Sequence, residues 1–191
     1  MAAKMNWNEW EWTSPEKSLE GIKMLIKAVP DFPKKGILFR DIMPIFQVPQ
    51  AVTAIVDLMT AYIEVHFGEV NAIAGLDARG FLIGPSIAVN LNKPFIPVRK
   101  QGKLPGKCYS VESTKEYGKD VLEVQVDGLS KGQKVVIVDD LLATGGTMQS
   151  TCQLVTLAGA TVAGCISIVE LKELNGRSKV DQYPYHAFIT Y

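Results

Sequence analysis

The sequence predicts an α/β fold, an open and mostly parallel twisted sheet flanked by helices. Four short apolar runs, at residues 72–74, 95–98, 135–138 and 162–169, have the length of buried strands. Helix-like stretches lie between most of them, and this alternation is typical of a parallel sheet with crossover helices. The chain has 191 residues, of which 47% are hydrophobic, which is enough for one domain with a core.

The N-terminal part predicts two helices separated by an irregular segment. Residues 1–13 hold all three Trp and are predicted to be an arm that packs on the body of the protein or on a partner subunit. Ser14 followed by Pro suits the start of a helix, whose apolar positions recur at helical spacing as far as Val29. Residues 31–47 are interrupted by Pro and Gly and predict a loop or a short strand, and residues 50–66 predict a second helix.

The remaining elements follow from the same patterns. Residues 81–91 and 147–158 predict helices, each placed before a buried strand. Residues 121–126 alternate in polarity and predict a half-exposed strand. The polar stretch 110–119 before it is predicted to be mobile.

Composition excludes several classes of partner. Lys+Arg and Asp+Glu number 20 each and the pI is about 6.7, so no global charge attracts nucleic acid or an anionic membrane. No apolar run is long enough to span a bilayer, and no signal segment is expected. The three Cys are odd in number, and Cys152 and Cys165 lie in apolar surroundings, which predicts free buried thiols and a cytoplasmic protein.

The segment after the run 135–138 carries most of the functional information. Asp139 and Asp140 follow that buried strand directly, and a loop with paired Gly and flanking Thr, residues 144–147, then opens a helix. Glycines and free N–H groups at a helix start can bind a phosphate, whereas carboxylates accept hydrogen bonds from a ribose diol. Ligands of open α/β sheets bind at this end of the strands, so the segment predicts a site for a phosphorylated sugar.

The same segment differs from the common nucleotide motifs and resembles another. The Lys of a Walker A loop is missing, and the glycine spacing is not that of a dinucleotide site. Residues 135–147 resemble the signature with which type I phosphoribosyltransferases bind phosphoribosyl pyrophosphate (PRPP). Leu141-Leu142-Ala143 in its middle is similar to the branch of this family that acts on adenine. The resemblance extends from Asp31 to Leu171 with the motifs in family order.

The resemblance implies the fold and domain organisation of that family. Residues 14–191 are expected to form a single phosphoribosyltransferase domain behind the arm 1–13. Within this domain a small hood for the base is expected near 31–47, a flexible active-site loop near 106–120, and the PRPP loop at 139–147. A homodimer is also implied, in which a basic residue of one subunit can act in the site of the other.

The resemblance further implies the site residues. In the family, the acidic pair holds the ribose hydroxyls, the Thr-Gly-Gly-Thr loop holds the 5′-phosphate, and the loop at 75–81 commonly contains a cis peptide bond and binds pyrophosphate. The PRPP-binding residues implied are Asp77, Ala78, Arg99, Lys100, Lys103, Tyr117, Asp139, Asp140, Ala143, Thr144, Gly145, Gly146 and Thr147. Arg79 and Glu116 are implied as catalytic residues. The implied adenine contacts are Leu38, Phe39, Arg40 and Leu171.

The implied reaction transfers the 5-phosphoribosyl group of PRPP to adenine and yields AMP and pyrophosphate. Mg²⁺ would be held mainly by PRPP and pyrophosphate, with no ligand supplied directly by the protein. One alternative is a related transferase for hypoxanthine/guanine, xanthine, uracil or orotate, although the Lys that 6-oxopurine enzymes use has no match at 162–171. The other is a non-catalytic PRPP-binding regulator, which would need a DNA-binding module that the short leader before Leu19 does not provide.

Overall fold

The structure of the protein, a computed structural model, describes residues 6–114 and 119–191. The chain divides into two compact units, residues 1–58 and 59–191, and the division lies within one long helix. Across the described residues, no helix combines the length and the apolar character that crossing a membrane requires.

The first unit begins with helix α1, Pro15–Leu25. The hydroxyl of Ser14 accepts a hydrogen bond from the backbone N–H of Lys17 at 3.3 Å, which caps the helix as predicted. The prediction that this helix continues to Val29 is wrong, because residues 27–30 are extended and form strand β1, Lys27–Pro30. Their partner strand lies further along the chain, so helical spacing alone could not reveal the change.

The partner of β1 is strand β2, Leu38–Asp41, and the two pair antiparallel. A 3₁₀ helix at Met43–Gln47 leads into helix α2, Pro49–His66. The short strand predicted within 31–47 and the second predicted helix are therefore both confirmed. Ile42, Ile45 and Ile55 are among the fully buried side chains here.

The Trp-rich arm packs on α1. The rings of Trp7, Trp10 and Trp12 lie 6.1–6.5 Å apart between centroids. Trp10 donates its Nε1–H to the carbonyl oxygen of Lys17 at 3.2 Å, and a Cβ placed on Gly21 of α1 would lie 2.6 Å from Trp10 Nε1. The three indoles thus form one aromatic cluster against the helix surface.

The second unit is built on a seven-stranded sheet, in the order β5–β6–β4–β3–β7–β8–β9. Its strands are β3, Ala72–Leu76; β4, Phe95–Lys100; β5, Cys108–Thr114; β6, Lys119–Gln125; β7, Lys134–Leu142; β8, Thr161–Glu170; and β9, Tyr185–Thr190. The five strands from β4 to β9 in this order are parallel, whereas β6 and β5 are antiparallel to their neighbours. The predicted open, mostly parallel sheet is confirmed.

Two helices follow strands of this sheet: α3, Gly84–Asn90, and α4, Gly146–Leu157. Leu154 and Cys152 of α4 belong to the same buried apolar cluster as residues of β3, β7 and β8. The thiols of Cys152 and Cys165 are free, buried and 3.6 Å apart between their Sγ atoms. Both thiols are therefore part of the core, as predicted.

The antiparallel edge of the sheet differs from the sequence prediction. Residues 108–114 were expected in a loop and instead form β5, which pairs with β6 along its length from Cys108↔Gln125 to Thr114↔Lys119. Glu123 was expected on the exposed face of β6 but is only 8% exposed. The reason is that residues from other segments contact its carboxylate: Gly102 of the turn after β4 and Ser110 of β5 both donate to it. Strand β9 was not predicted either.

Candidate functional site

The candidate site lies where two neighbouring strands end. β3 and β7 pair in parallel from Ala72↔Val135 to Gly75↔Val138, so the segments that follow both strands reach the same edge of the sheet. Residues 77–79 and 139–148 line one cavity there, with a volume of about 400 Å³. The structure therefore brings together two motifs that are about 60 residues apart in the sequence.

One wall of this cavity is the loop that opens α4. Gly145 caps the helix in a left-handed conformation, with φ of 77°, and no side chain caps the helix start. The first N–H groups of α4 consequently have no partner within the helix, and its dipole adds partial positive charge at the same place. This arrangement, together with the Thr144 and Thr147 hydroxyls that line the cavity, suits a phosphate group.

The cavity is also lined by an ion pair whose carboxylate is buried and whose guanidinium is partly exposed. Asp140 is 4% exposed, and its Oδ2 lies 2.6 Å from Nε of Arg79. The backbone N–H of Asp140 donates to Oδ1 of Asp139 at 2.9 Å. Strand β7 continues through these residues to Leu142, so the acidic pair is held by the sheet rather than by a loop.

Asp139 is electrostatically the most unusual group of the site. Burial of its carboxylate raises the pKa of Asp139 well above the ordinary value, and the neighbouring charge of Asp140 raises it further. The guanidinium of Arg79 opposes this shift only in part. A carboxylate that is costly to ionise beside a phosphate nest is typical of a functional site rather than of a structural one.

The pyrophosphate side is formed by the loop after β3. The peptide bond between Asp77 and Ala78 is cis, as in the family loop that this segment resembles. Oδ2 of Asp77 accepts from Nε of Arg99 at 2.9 Å, and Arg99 also donates to the carbonyl oxygen of Lys103 at 3.2 Å. Lys100 lies 3.2 Å from Oδ2 of Asp120.

The basic loop, residues 99–106, is consequently connected to the site without lining the cavity. Arg99, Lys100 and Lys103 do not line the cavity. Among the described residues, the guanidinium group that lines the cavity belongs to Arg79. The PRPP contacts expected of these three residues stay predictions. Glu116 and Tyr117 lie outside the described residues.

Sequence reasoning missed a residue that fastens the basic loop. Glu123 accepts hydrogen bonds from the backbone N–H of Gly102 at 2.9 Å and from the hydroxyl of Ser110 at 3.1 Å. It stands opposite Arg99 in the β4–β6 ladder. The alternating pattern assigned Glu123 to solvent, and no local signal in the sequence indicated otherwise.

The residues expected to contact adenine are distributed over both units. Leu38, Phe39 and Arg40 lie on β2 of the first unit, where the ring of Phe39 meets that of Phe32 edge to face at 5.1 Å. Leu171 follows β8 in the second unit, and its backbone N–H donates to the carbonyl oxygen of Leu142 at 3.0 Å.

Comparison with known proteins gives a consistent assignment. Residues 44–190 match the phosphoribosyl transferase domain family. The chain is 46% identical to a protein named adenine phosphoribosyltransferase from Rattus norvegicus, over 92% of this chain and 98% of that protein.

Solved structures of the same name are also similar. The enzyme from Thermoanaerobacter pseudethanolicus superposes with a TM-score of 0.87 at 44% identity, covering 91% of this chain and 99% of the other. The Saccharomyces cerevisiae enzyme, solved with an imino-altritol bisphosphate and adenine, gives a TM-score of 0.87 at 38% identity with the same coverage of both chains. The chain therefore belongs to the phosphoribosyltransferase family and, within it, to the adenine phosphoribosyltransferases.

Proposed function

We propose that this protein transfers the 5-phosphoribosyl group of PRPP to adenine, which yields AMP and pyrophosphate and salvages the free purine. The observation that carries the proposal is the cavity lined by residues 77–79 and 139–148. It combines a helix start suited to a phosphate, a carboxylate pair suited to ribose hydroxyls and a guanidinium suited to pyrophosphate.

PRPP is expected to lie across this cavity. Its 5′-phosphate would bind residues 143–147 at the start of α4, and its ribose hydroxyls would donate to Asp139 and Asp140. Its pyrophosphate would bind the cis peptide segment at Asp77 and Ala78 together with Arg79, with the basic loop after β4 and Tyr117 completing the contacts. The carboxylates and the loop that binds the 5′-phosphate thus contact different groups of one ligand.

Mg²⁺ is the proposed cofactor, and the donor set fits it. Phosphate oxygens of PRPP and pyrophosphate are hard ligands of the kind that Mg²⁺ prefers, and the carboxylates of Asp139 and Asp140 line the same cavity beside the proposed ribose site, where they favour a nearby cation. Among the described residues, no group of three or more His, Cys, Asp or Glu side chains is arranged to hold a metal. PRPP, pyrophosphate and water would therefore supply the coordination, and the bound ion would offset the charge of the leaving pyrophosphate.

Adenine is expected to bind to the edge of β2. Pro30 of β1 pairs with Leu38 of β2. Because proline has no N–H, Pro30 cannot donate a hydrogen bond to the carbonyl oxygen of Leu38. The Leu38 backbone is thus suited to accept from the adenine amine and to donate to a ring nitrogen. Phe39 and Leu171 would supply apolar contacts to the purine, and Arg40 would donate to another ring nitrogen.

The chemical step breaks the bond between ribose C1 and the pyrophosphate oxygen and forms one between C1 and a purine ring nitrogen, with inversion. The transition state resembles an oxocarbenium ion, so positioning and electrostatics supply most of the catalysis. Arg79 would hold the leaving group, and Glu116 would take the proton from the purine nitrogen. The β5–β6 hairpin would close over the site and exclude competing water.

The assembly proposed is a homodimer in the cytoplasm. Free thiols at Cys108, Cys152 and Cys165 suit a reducing compartment. Analytical ultracentrifugation tests the dimer, since a single species at the mass of one chain would exclude it.

The function is tested with purified protein, PRPP, Mg²⁺ and separate free bases. We expect AMP from adenine and no nucleotide from hypoxanthine, guanine, xanthine, uracil or orotate. Asp139→Asn should raise the KM for PRPP by about 10- to 100-fold, the value of a hydrogen bond to a charged group. Asp127→Asn, an exposed acid outside the cavity, is the matched control. Turnover of another base would overturn the assignment of adenine as the substrate. If no base were turned over, the proposed transferase activity would be wrong.

A further inference from the structure

The turn that follows β8 lies against the back of the loop that opens α4. It consists of two short 3₁₀ helices, Lys172–Leu174 and Gly176–Lys179, joined at Asn175. Asn175 has φ of 49°, a left-handed conformation that redirects the chain toward the loop. None of the motifs that suggested the function includes this turn.

Gly176 is the point of contact. It is buried, and a Cβ placed on it would overlap the carbonyl oxygen of Ala143 and lie 2.8 Å from the backbone nitrogen of Gly145. Conversely, a Cβ placed on Gly145 would overlap the carbonyl oxygen of Gly176. The two backbones therefore touch with no side chain between them, and a glycine is required on both sides.

Arg177 fixes the turn to the sheet. Its Nη2 donates to the carbonyl oxygen of Tyr185 on β9 at 3.2 Å, and its guanidinium lies over the Tyr185 ring at 5.3 Å. Its Nη1 is 4.0 Å from Oε2 of Glu170 at the end of β8. The turn is further closed by the hydroxyl of Ser178, which donates to the carbonyl oxygen of Asn175 at 2.7 Å.

We propose that Gly176 is a positioning residue for the 5′-phosphate of PRPP, with Arg177 as its anchor. The backbone of Gly176 supports residues 143–145 from behind and thereby sets how far the N–H groups at the start of α4 reach into the cavity. Because these groups act only through their position, a displacement of the loop weakens phosphate binding even though no donor is lost. This inference rests on the proposed function.

The test compares Gly176→Ala with Gly128→Ala. An added Cβ at Gly128 would meet Ile96 Cγ2 at 3.6 Å and Gln125 Cβ at 3.9 Å, both ordinary contacts, and Gly128 does not line the cavity, so this control should behave as the wild type. For Gly176→Ala we expect the Kd and KM for PRPP to rise about 10- to 100-fold, the effect of a displacement near 1 Å. The Kd of ribose 5-phosphate should rise in parallel, whereas the Kd of pyrophosphate and the KM for adenine should not.

The binding measurements use calorimetry in the absence of a base, so they do not depend on which base is the substrate. If the wild type binds PRPP but converts no base, the proposed reaction fails while the positioning role is still decided by the variants. If Gly176→Ala does not fold, Arg177→Met replaces it as the test. This substitution loosens the turn without a clash and should raise the Kd of PRPP and the Kd of ribose 5-phosphate. The inference would be overturned if a folded Gly176→Ala variant bound PRPP and ribose 5-phosphate as the wild type does. If that variant does not fold, the same result in Arg177→Met would overturn it. So would an equal loss of pyrophosphate binding, which would indicate general collapse.

Discussion

Glu123 provides the sharpest test of how the basic loop is held. The perturbation is Glu123→Ala, which removes the acceptor of both the Gly102 N–H and the Ser110 hydroxyl. A hydrogen bond to a charged acceptor contributes about 1.5–3 kcal/mol. Because Gly102 and Ser110 are themselves exposed, water can replace the lost acceptor, so the lower value applies to each bond. The expected loss in free energy of unfolding is therefore about 3 kcal/mol.

Glu123→Gln separates charge from shape. Its amide can keep both contacts, with the carbonyl oxygen toward Gly102 and the NH₂ group toward the Ser110 oxygen, and only the charge assistance is lost. The expected loss is about 1–2 kcal/mol. Gln125→Ala on the same strand is the matched control, since it removes one neutral bond to the Pro105 carbonyl at 3.1 Å and should cost about 0.5–1.5 kcal/mol.

Urea unfolding of the three variants measures these differences, and steady-state kinetics measures their effect on the loop. Glu123→Ala should also raise the KM for PRPP more than that for adenine, because the freed loop carries Lys100 and Lys103. The reasoning would be refuted if Glu123→Ala lowered the free energy of unfolding by no more than Gln125→Ala does. The hydrogen bonds of the buried carboxylate would then contribute nothing beyond one neutral bond.

Three further predictions concern the rest of the chain. Asp139→Asn should be more stable than the wild type at neutral pH. The pKa of Asp139 is raised in the folded state, so the wild type loses stability as the pH rises from the unfolded-state pKa, near 3.9, through the higher folded-state pKa. The variant's advantage in thermal melting should grow from pH 4 to pH 7, and a constant difference would contradict the assigned cause. Glu116→Ala should lower kcat about 10²- to 10⁴-fold with PRPP binding retained, and calorimetry that shows PRPP binding lost would exclude a role as the base. Deletion of residues 1–13 should leave turnover unchanged but lower the free energy of unfolding by about 0.5–1.5 kcal/mol or more, because the hydrogen bond from Trp10 Nε1 to the Lys17 carbonyl oxygen and the cover of the indoles on α1 are lost. Reduced turnover in that folded variant would place the arm in the active site.

Sequence patterns predicted the parallel core of the fold because its signals are local. The runs that became β3, β7 and β8 are almost entirely apolar, as is typical of strands covered on both faces. The start of α4 was equally visible, since its paired Gly residues follow a strand. Residues 77–79 and 139–148 share one cavity because the strands before them, β3 and β7, pair in parallel.

The errors arise where pairing between distant segments decides the structure. Residues 27–30 carry an apolar spacing compatible with a helix but are extended because they pair with β2. Glu123 is buried where Gly102 and Ser110 donate to its carboxylate, and nothing near Glu123 in the sequence indicates these contacts. Gly176 escaped notice for the same reason, since its contact with Ala143 and Gly145 joins segments about 30 residues apart.

The strand order has a consequence for how the protein fluctuates. β3 and β7, which carry the acidic pair and the phosphate loop, lie inside the sheet, whereas the β5–β6 hairpin and the basic loop occupy one margin. Opening of that margin breaks pairings with β4 but leaves those between β3 and β7 in place. We therefore expect amide hydrogens of β3 and β7 to exchange the slowest and those of β5 the fastest. Substrate could then enter and product leave through movements at the margin while the ribose phosphate cradle keeps its shape.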